Sequence, residues 1–209
     1  MLSVWMAYLQ YQFGAQLDTA GRALSDTSYS AQLLGSEKLW MLLEGTHVLT
    51  LMLFAGTILF VDLRLLGLAF RSVPISRISR ALLPYTVAGL VIIFVTGILV
   101  FFAKPLEYYH NFAFRVKLVL LLVAVANIAW FHFKVQTGEG EWDRAERPPL
   151  RVRAAGAVSI LVWVAVIATG RCMAYEWFTC DAASPFVAAA AQCAEKNATL
   201  AAIQPEIAP

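Results

Sequence analysis

The sequence predicts an all-α membrane protein, a four-transmembrane-helix bundle with a short N-terminal interfacial helix and both termini outside. Three observations carry this. First, 60% of the 209 residues are apolar and 14% are charged, where a soluble domain is about 45–50% apolar and about 25% charged. Second, four stretches each supply the roughly 20 apolar residues that a spanning helix needs. Third, lysine and arginine crowd two of the loops between those stretches, which sets the orientation. The composition excludes a disordered chain, a nucleic-acid binder with a basic stripe and an ordinary water-soluble enzyme. A net charge of +2 implies no polyanionic partner.

Residues 1–37 form an N-terminal segment outside the bundle. From Leu2 to Phe13, Trp5, Met6, Leu9 and Phe13 recur at helical spacing, with Gln10, Gln12 and Gln16 as polar residues. The stretch is too short to span, and it lacks a basic n-region and a small-residue cleavage site, so it predicts an interfacial helix and not a signal peptide. Residues 17–37 are a polar linker rich in Ser, Thr and Gly, and Ser36-Glu37 reads as the start of the first span. The four-helix domain covers residues 38–175, with spans expected at Leu39–Leu68, Ala81–Phe102, Phe112–Phe133 and Ala154–Tyr175. Residues 176–209 form an outer tail, with one short helix expected near Phe186–Leu200.

The loop after the first span carries Arg64, Arg71, Arg77 and Arg80, and the loop after the third carries Lys134, Arg144, Arg147, Arg151 and Arg153. The other side has Arg22, Lys38, Lys104, Arg115, Lys117, Arg171 and Lys196. Nine cations in two short loops against seven elsewhere place those loops inside and both termini outside, on the periplasmic side of a bacterial inner membrane.

Polar residues inside spans are costly, and function concentrates in them. His47 sits about nine residues into the first span, sharing a face with Trp40, Glu44, Leu51 and Phe54. A neutral imidazole at that depth suits an axial haem ligand; the alternative is a hydrogen bond to a neighbouring helix. Asp62, Arg64 and His132 lie at similar depth and read as a buried cluster, either tying two helices together or adding a second haem or metal ligand or a proton-handling group. His110 opens the third span near the surface, with Lys117 seven residues on. No bis-histidine pair shares one level, which leaves single-histidine, His/Lys or His/Met ligation, or no haem. Arg115 and Arg171 near the outer face suit haem propionates, acidic headgroups or simple interfacial anchoring. The second and fourth spans present small residues, among them Gly89, Gly97, Gly156 and Gly170, where helices approach closely. Of three cysteines, an outer Cys180–Cys193 or Cys172–Cys180 disulfide is expected, leaving one thiol over. No C-x-x-C-H, Walker loop, nucleotide-binding glycine motif, serine-nucleophile motif or H-E-x-x-H occurs.

The run from His47 through Gly56, Asp62 and Arg64 to Gly67 resembles a bacterial four-helix integral-membrane family of uncharacterised function. So do Arg77-Ile-Ser-Arg80 with Leu83-Pro84, and Tyr109-His-Asn111 through Lys117. The resemblance covers about residues 38–175. That family is distantly similar to the copper-resistance protein D membrane domain and to HemJ-type haem-binding proteins. The HemJ resemblance sets His47, Gly56, Lys117 and His132 in corresponding places and implies a b-type haem at His47 with Lys117 near it. Val61-Asp62-Leu63-Arg64 replaces the aromatic and proline pattern of HemJ, so the oxidase activity is not carried over. Methionine-rich copper motifs are missing.

The sequence therefore leads to a b-type haem electron-transfer protein of the inner membrane. An odd cysteine and an apolar, alanine-rich tail point to further membrane or periplasmic subunits, and quinone is the natural small partner. Two alternatives are a cofactor-free anchoring subunit and a copper-transport protein with His47 and His110 as way-stations.

Overall fold

The computed structural model describes residues 35–135, 139–175, 177–180, 184–194 and 196–197. The expected interfacial helix at Leu2–Phe13 lies outside these residues. In chain order the elements are α1 (Glu37–Leu65), α2 (Ile75–Ala103), α3 (Pro105–Tyr109), α4 (Phe112–Trp130), a π turn (Phe131–Val135), α5 (Glu139–Trp142), α6 (Leu150–Ala174) and α7 (Pro185–Ala190). α1, α2, α4 with its π turn, and α6 are long and apolar enough to cross a membrane. Many of the side chains they leave exposed are Leu, Ile, Val, Phe or Met, as expected where lipid replaces water as the solvent.

α1 stops three residues short of the expected end because Gly67 adopts a left-handed backbone, φ 71°. The Leu68 amide donates to the Leu63 carbonyl (3.0 Å) and the Gly67 amide to that of Arg64 (3.0 Å). This paired bonding closes a helix and requires a residue tolerant of positive φ. A Cβ at Gly67 would also lie 3.0 Å from the Glu146 carbonyl oxygen. α2 begins six residues earlier than expected. Asp143 caps it: its carboxylate accepts from the Ser76 amide (2.7 Å) and hydroxyl (2.9 Å), and its carbonyl accepts from the Ile75 amide (3.1 Å). Those bonds satisfy the donors that a helix start leaves open. The third span ends in a π turn, and the tail helix is short, with Ser184 accepting from the Val187 amide at its start.

The described residues fall into two packed units. One holds residues 35–45, 96–112 and 178–197. Within it, Cys180 and Cys193 form a disulfide, leaving Cys172 of the other unit as the free thiol. Phe112 meets Phe178 and Phe186 edge-on. The other unit holds residues 46–95 and 113–177. Close approaches build it. Gly89 of α2 sits against Phe54 of α1, and a Cβ there would lie 3.1 Å from the Phe54 Cβ. Gly156 of α6 sits against α1, where a Cβ would lie 3.1 Å from both the Asp62 carbonyl and the Leu65 Cβ. The Thr86 hydroxyl reaches that of Thr57 (2.9 Å), which donates to the Phe54 carbonyl. Asn127 of α4 donates to the Ala155 carbonyl of α6 (3.1 Å). Small residues and polar cross-links of this kind are what hold helices together in lipid.

Candidate functional site

His47 projects from α1 and is half-buried. Lys117, half-buried and one and a half turns into α4, is near enough for its charge to act on the imidazole. The third contributor is Gly170 of α6: a Cβ there would lie 3.6 Å from the Lys117 Nζ, so the ammonium stands beside bare helix backbone. Gly170 lies close to the C-terminal end of α6, where the helix dipole favours a cation. Among the described residues, Lys117 makes no hydrogen bond or ion pair. Deeper in the span the surroundings are apolar. Phe54, two turns beyond His47 on the same face, packs edge-on against Trp163 at 4.8 Å. Ala124, Val162 and Val166 form a buried cluster with Leu120, Leu121 and Trp163. Two basic side chains thus lie above an apolar floor, and Lys117 has no carboxylate partner among the described residues, an arrangement that suits an anionic or metal-bearing ligand.

The other expected residues are placed differently. Gly56 lies nine residues from His47, two and a half turns, and so on the opposite face of α1. A Cβ there would meet nothing within 4 Å. Arg115 is half-buried on α4. Arg171 is exposed, its guanidinium 4.7 Å above the Tyr175 ring and donating to the Tyr175 hydroxyl.

His110 is buried within the protein at 1% exposure, with Ala191 of the tail packed on it. Its Nδ1 lies 3.0 Å from the Ala191 carbonyl oxygen, which can only accept, so Nδ1 carries the proton. Cys180 Sγ contacts the His110 carbonyl, tying the disulfide to the same turn.

The expected Asp62–Arg64–His132 cluster does not form. Asp62 and Arg64 are buried at 4% and 0% exposure, but His132 is exposed with its ring against Phe133. The physical reason is the π turn that holds His132: its wider winding shifts the angular phase at the end of the third span. Asp62 faces the Ser159 hydroxyl of α6, and its second oxygen has no partner. Arg64 reaches into the loops instead. Its Nε donates to the Val73 carbonyl (2.8 Å), and its Nη2 donates to those of Ala145 (3.1 Å) and Asp143 (3.4 Å). One buried cation thereby fastens two loops.

The sequence reading missed Asp143 and Trp142. Trp142 is 2% exposed and packs with Leu65, Ile75 and Val152. A tryptophan within a loop of otherwise charged residues was the available signal. Among the described residues, no group of three or more His, Cys, Asp or Glu is placed to hold a metal ion.

Fold and composition thus define a multi-pass membrane protein of four spans, in contact with the lipid bilayer. The chain belongs to a family of unknown function (DUF6644), which matches residues 39–176. No curated protein and no solved structure matches it.

Proposed function

We propose that this chain is a bacterial inner-membrane protein with periplasmic termini that holds a b-type haem at His47 and passes electrons within a larger complex, with quinone as its small partner. The observation that carries the reading is the half-buried Lys117, which has no hydrogen bond or ion pair among the described residues and stands beside His47. The donor set fits the group: the His47 imidazole would supply a nitrogen to the iron, and the Lys117 ammonium would hold an anionic substituent. Bound haem would supply one-electron chemistry. The protein's own residues do the rest. His47 fixes position, Lys117 balances negative charge, and the Phe54–Trp163 floor excludes water. The resemblance of His47 and Lys117 to the HemJ pattern supports the reading, and the loop arginines support the orientation.

The test is a reduced-minus-oxidised spectrum of the protein purified in detergent. The reading expects a b-type α band that disappears in His47→Ala and shifts or weakens in Lys117→Met. A colourless preparation overturns it. Stoichiometric copper without haem would establish the copper-transport alternative. The cofactor-free anchoring alternative has one observation of its own, since the bonds Arg64 makes through Nε and Nη2 all go to loop carbonyls. It predicts a colourless, metal-free protein that co-purifies with partner subunits.

A further inference from the structure

The second packed unit carries a polar cleft of about 440 Å³, lined in part by Ser72, Ser76, Arg77, Arg80, Asp143 and Arg144. That size lies within the roughly 300–1,000 Å³ of small-molecule sites. Its charge is lopsided: three guanidiniums face one carboxylate. Asp143 offsets at most one of them, and its oxygens accept from the Ser76 amide and hydroxyl. Arg80 donates to the Ser76 carbonyl (3.2 Å). Among the described residues, Arg77 and Arg144 have no hydrogen-bond or ion-pair partner, and both are exposed.

Two further features make an anion the missing component. Arg77 and Arg80 lie three residues apart at the start of α2, so they share a face and repel. They also stand at the positive end of the helix dipole, where basic residues are disfavoured, and the first turn of α2 contains no acidic residue. The depth is also fitting. α2 has 29 residues, about 43 Å of helix, against a hydrocarbon core of about 30 Å. Its apolar run starts at Ala81, so residues 75–80 extend into the headgroup layer.

We propose that Arg77, Arg80 and Arg144 form a binding site for a phosphate group, supplied by the headgroup of an anionic phospholipid. Arginine pairs phosphate oxygens bidentately, and the Ser72 hydroxyl lines the same cleft. The helix amides do not compete for this role, because Asp143 already caps them.

The test uses the purified full-length chain and native mass spectrometry after exchange into detergent containing phosphatidylglycerol, phosphatidylcholine or inorganic phosphate. The wild type should retain phosphatidylglycerol in preference to phosphatidylcholine. Arg77→Gln/Arg144→Gln should weaken that retention on the order of tenfold or more. The charge-matched control is Arg151→Gln/Arg153→Gln, which removes two exposed cations outside the cleft and should retain the lipid. Saturable inorganic phosphate binding, lost in the cleft variant and without lipid preference, would keep the phosphate site and overturn the lipid source. Equal lipid retention in both variants, or equal loss, would overturn the site itself, because attraction would then follow total charge and not the cleft.

Discussion

Arg64→Met isolates the contribution of the most deeply buried cation in the described residues. The guanidinium is 0% exposed and makes hydrogen bonds of 2.8 and 3.1 Å to the carbonyls of Val73 and Ala145. A third contact, 3.4 Å to Asp143, is long enough to count for little. Hydrogen bonds involving a charged group contribute about 1.5–3 kcal/mol each, so the two good ones sum to roughly 3–6 kcal/mol. Against this stands Nη1, buried without a partner. Removing that orphan donor recovers about 1–3 kcal/mol. The net loss is then about 2.5 kcal/mol at the middle of those ranges. For a chain of this size, that lowers Tm by roughly 5–10 °C. Methionine preserves the volume and the apolar contacts, so the change reads the hydrogen bonds. The assay is thermal unfolding in detergent followed by tryptophan fluorescence, together with the rate of tryptic cleavage at Arg71 and Arg144, which lie in or beside the two fastened loops. Arg64→Lys should fall between wild type and Arg64→Met, since one ammonium cannot serve carbonyls on both loops. A Tm unchanged to within about 2 °C, with unchanged cleavage, would refute the claim that Arg64 holds these loops.

Glycine substitutions should separate close helix contact from open surface. Gly156→Leu forces a side chain into a 3.1 Å approach to α1 and should cost about 1–3 kcal/mol or more in the same unfolding assay. Gly56→Ala meets nothing within 4 Å and should be neutral or gain up to about 1 kcal/mol from helix propensity; a large loss there would show that α1 packs on that face. Maleimide labelling of the denatured protein without reductant should count one thiol, Cys172, rising to three after reduction. Three labels without reductant would remove the disulfide. Tyr108 lies outside the spans, and burial, with the charges of Glu107 and Glu44, pushes its phenol up to about 12. The fold favours the neutral phenol, so its stability contribution is present below about pH 10 and is lost as pH rises through about 12. In an absorbance titration one of the seven tyrosines should ionise late, and Tyr108→Phe should abolish that late step; an unchanged curve would contradict it.

The four spans were legible because lipid imposes one rule, about 20 apolar residues per crossing, and each helix obeys it. The boundaries were less so, because tertiary bonds set them. Nothing in Ile75–Arg80 distinguishes helix from loop until Asp143, 67 positions away, supplies the cap. Gly67 was visible, but as part of an apolar run; the hydrogen bonds from Gly67 and Leu68 back to α1 give it its terminating role. His132 was misplaced because similar depth was read as contact, whereas depth leaves the facing direction open and the π turn leaves His132 exposed. The burial of His110 was not legible, because its cover comes from Ala191, 81 positions on. Lys117 was singled out from one sequence, since a lysine one and a half turns into a span needs a reason. Gly170, the residue that leaves space beside its amine, was visible only as one small residue among several.

The buried polar residues of the second unit separate by whether they bind other parts of the protein. Arg64 and Asp62 lie within one turn of each other and could be mistaken for a functional pair. The Arg64 Nε and Nη2 donate to backbone carbonyls of two loops, and Asp62 meets Ser159 while its backbone packs on Gly156. These are the marks of an assembly joint. About 22 Å along α1, His47 and Lys117 present the opposite case. They carry two basic groups on facing helices, and Lys117 has no acidic partner among the described residues. A cation costs roughly 2.5–3.5 kcal/mol at mid-bilayer and less one and a half turns into a span, and a purely structural role would be served better by leucine. On the proposed function the pair is the ligand-binding end of this unit, and substitutions there should spare the fold while altering what the protein binds.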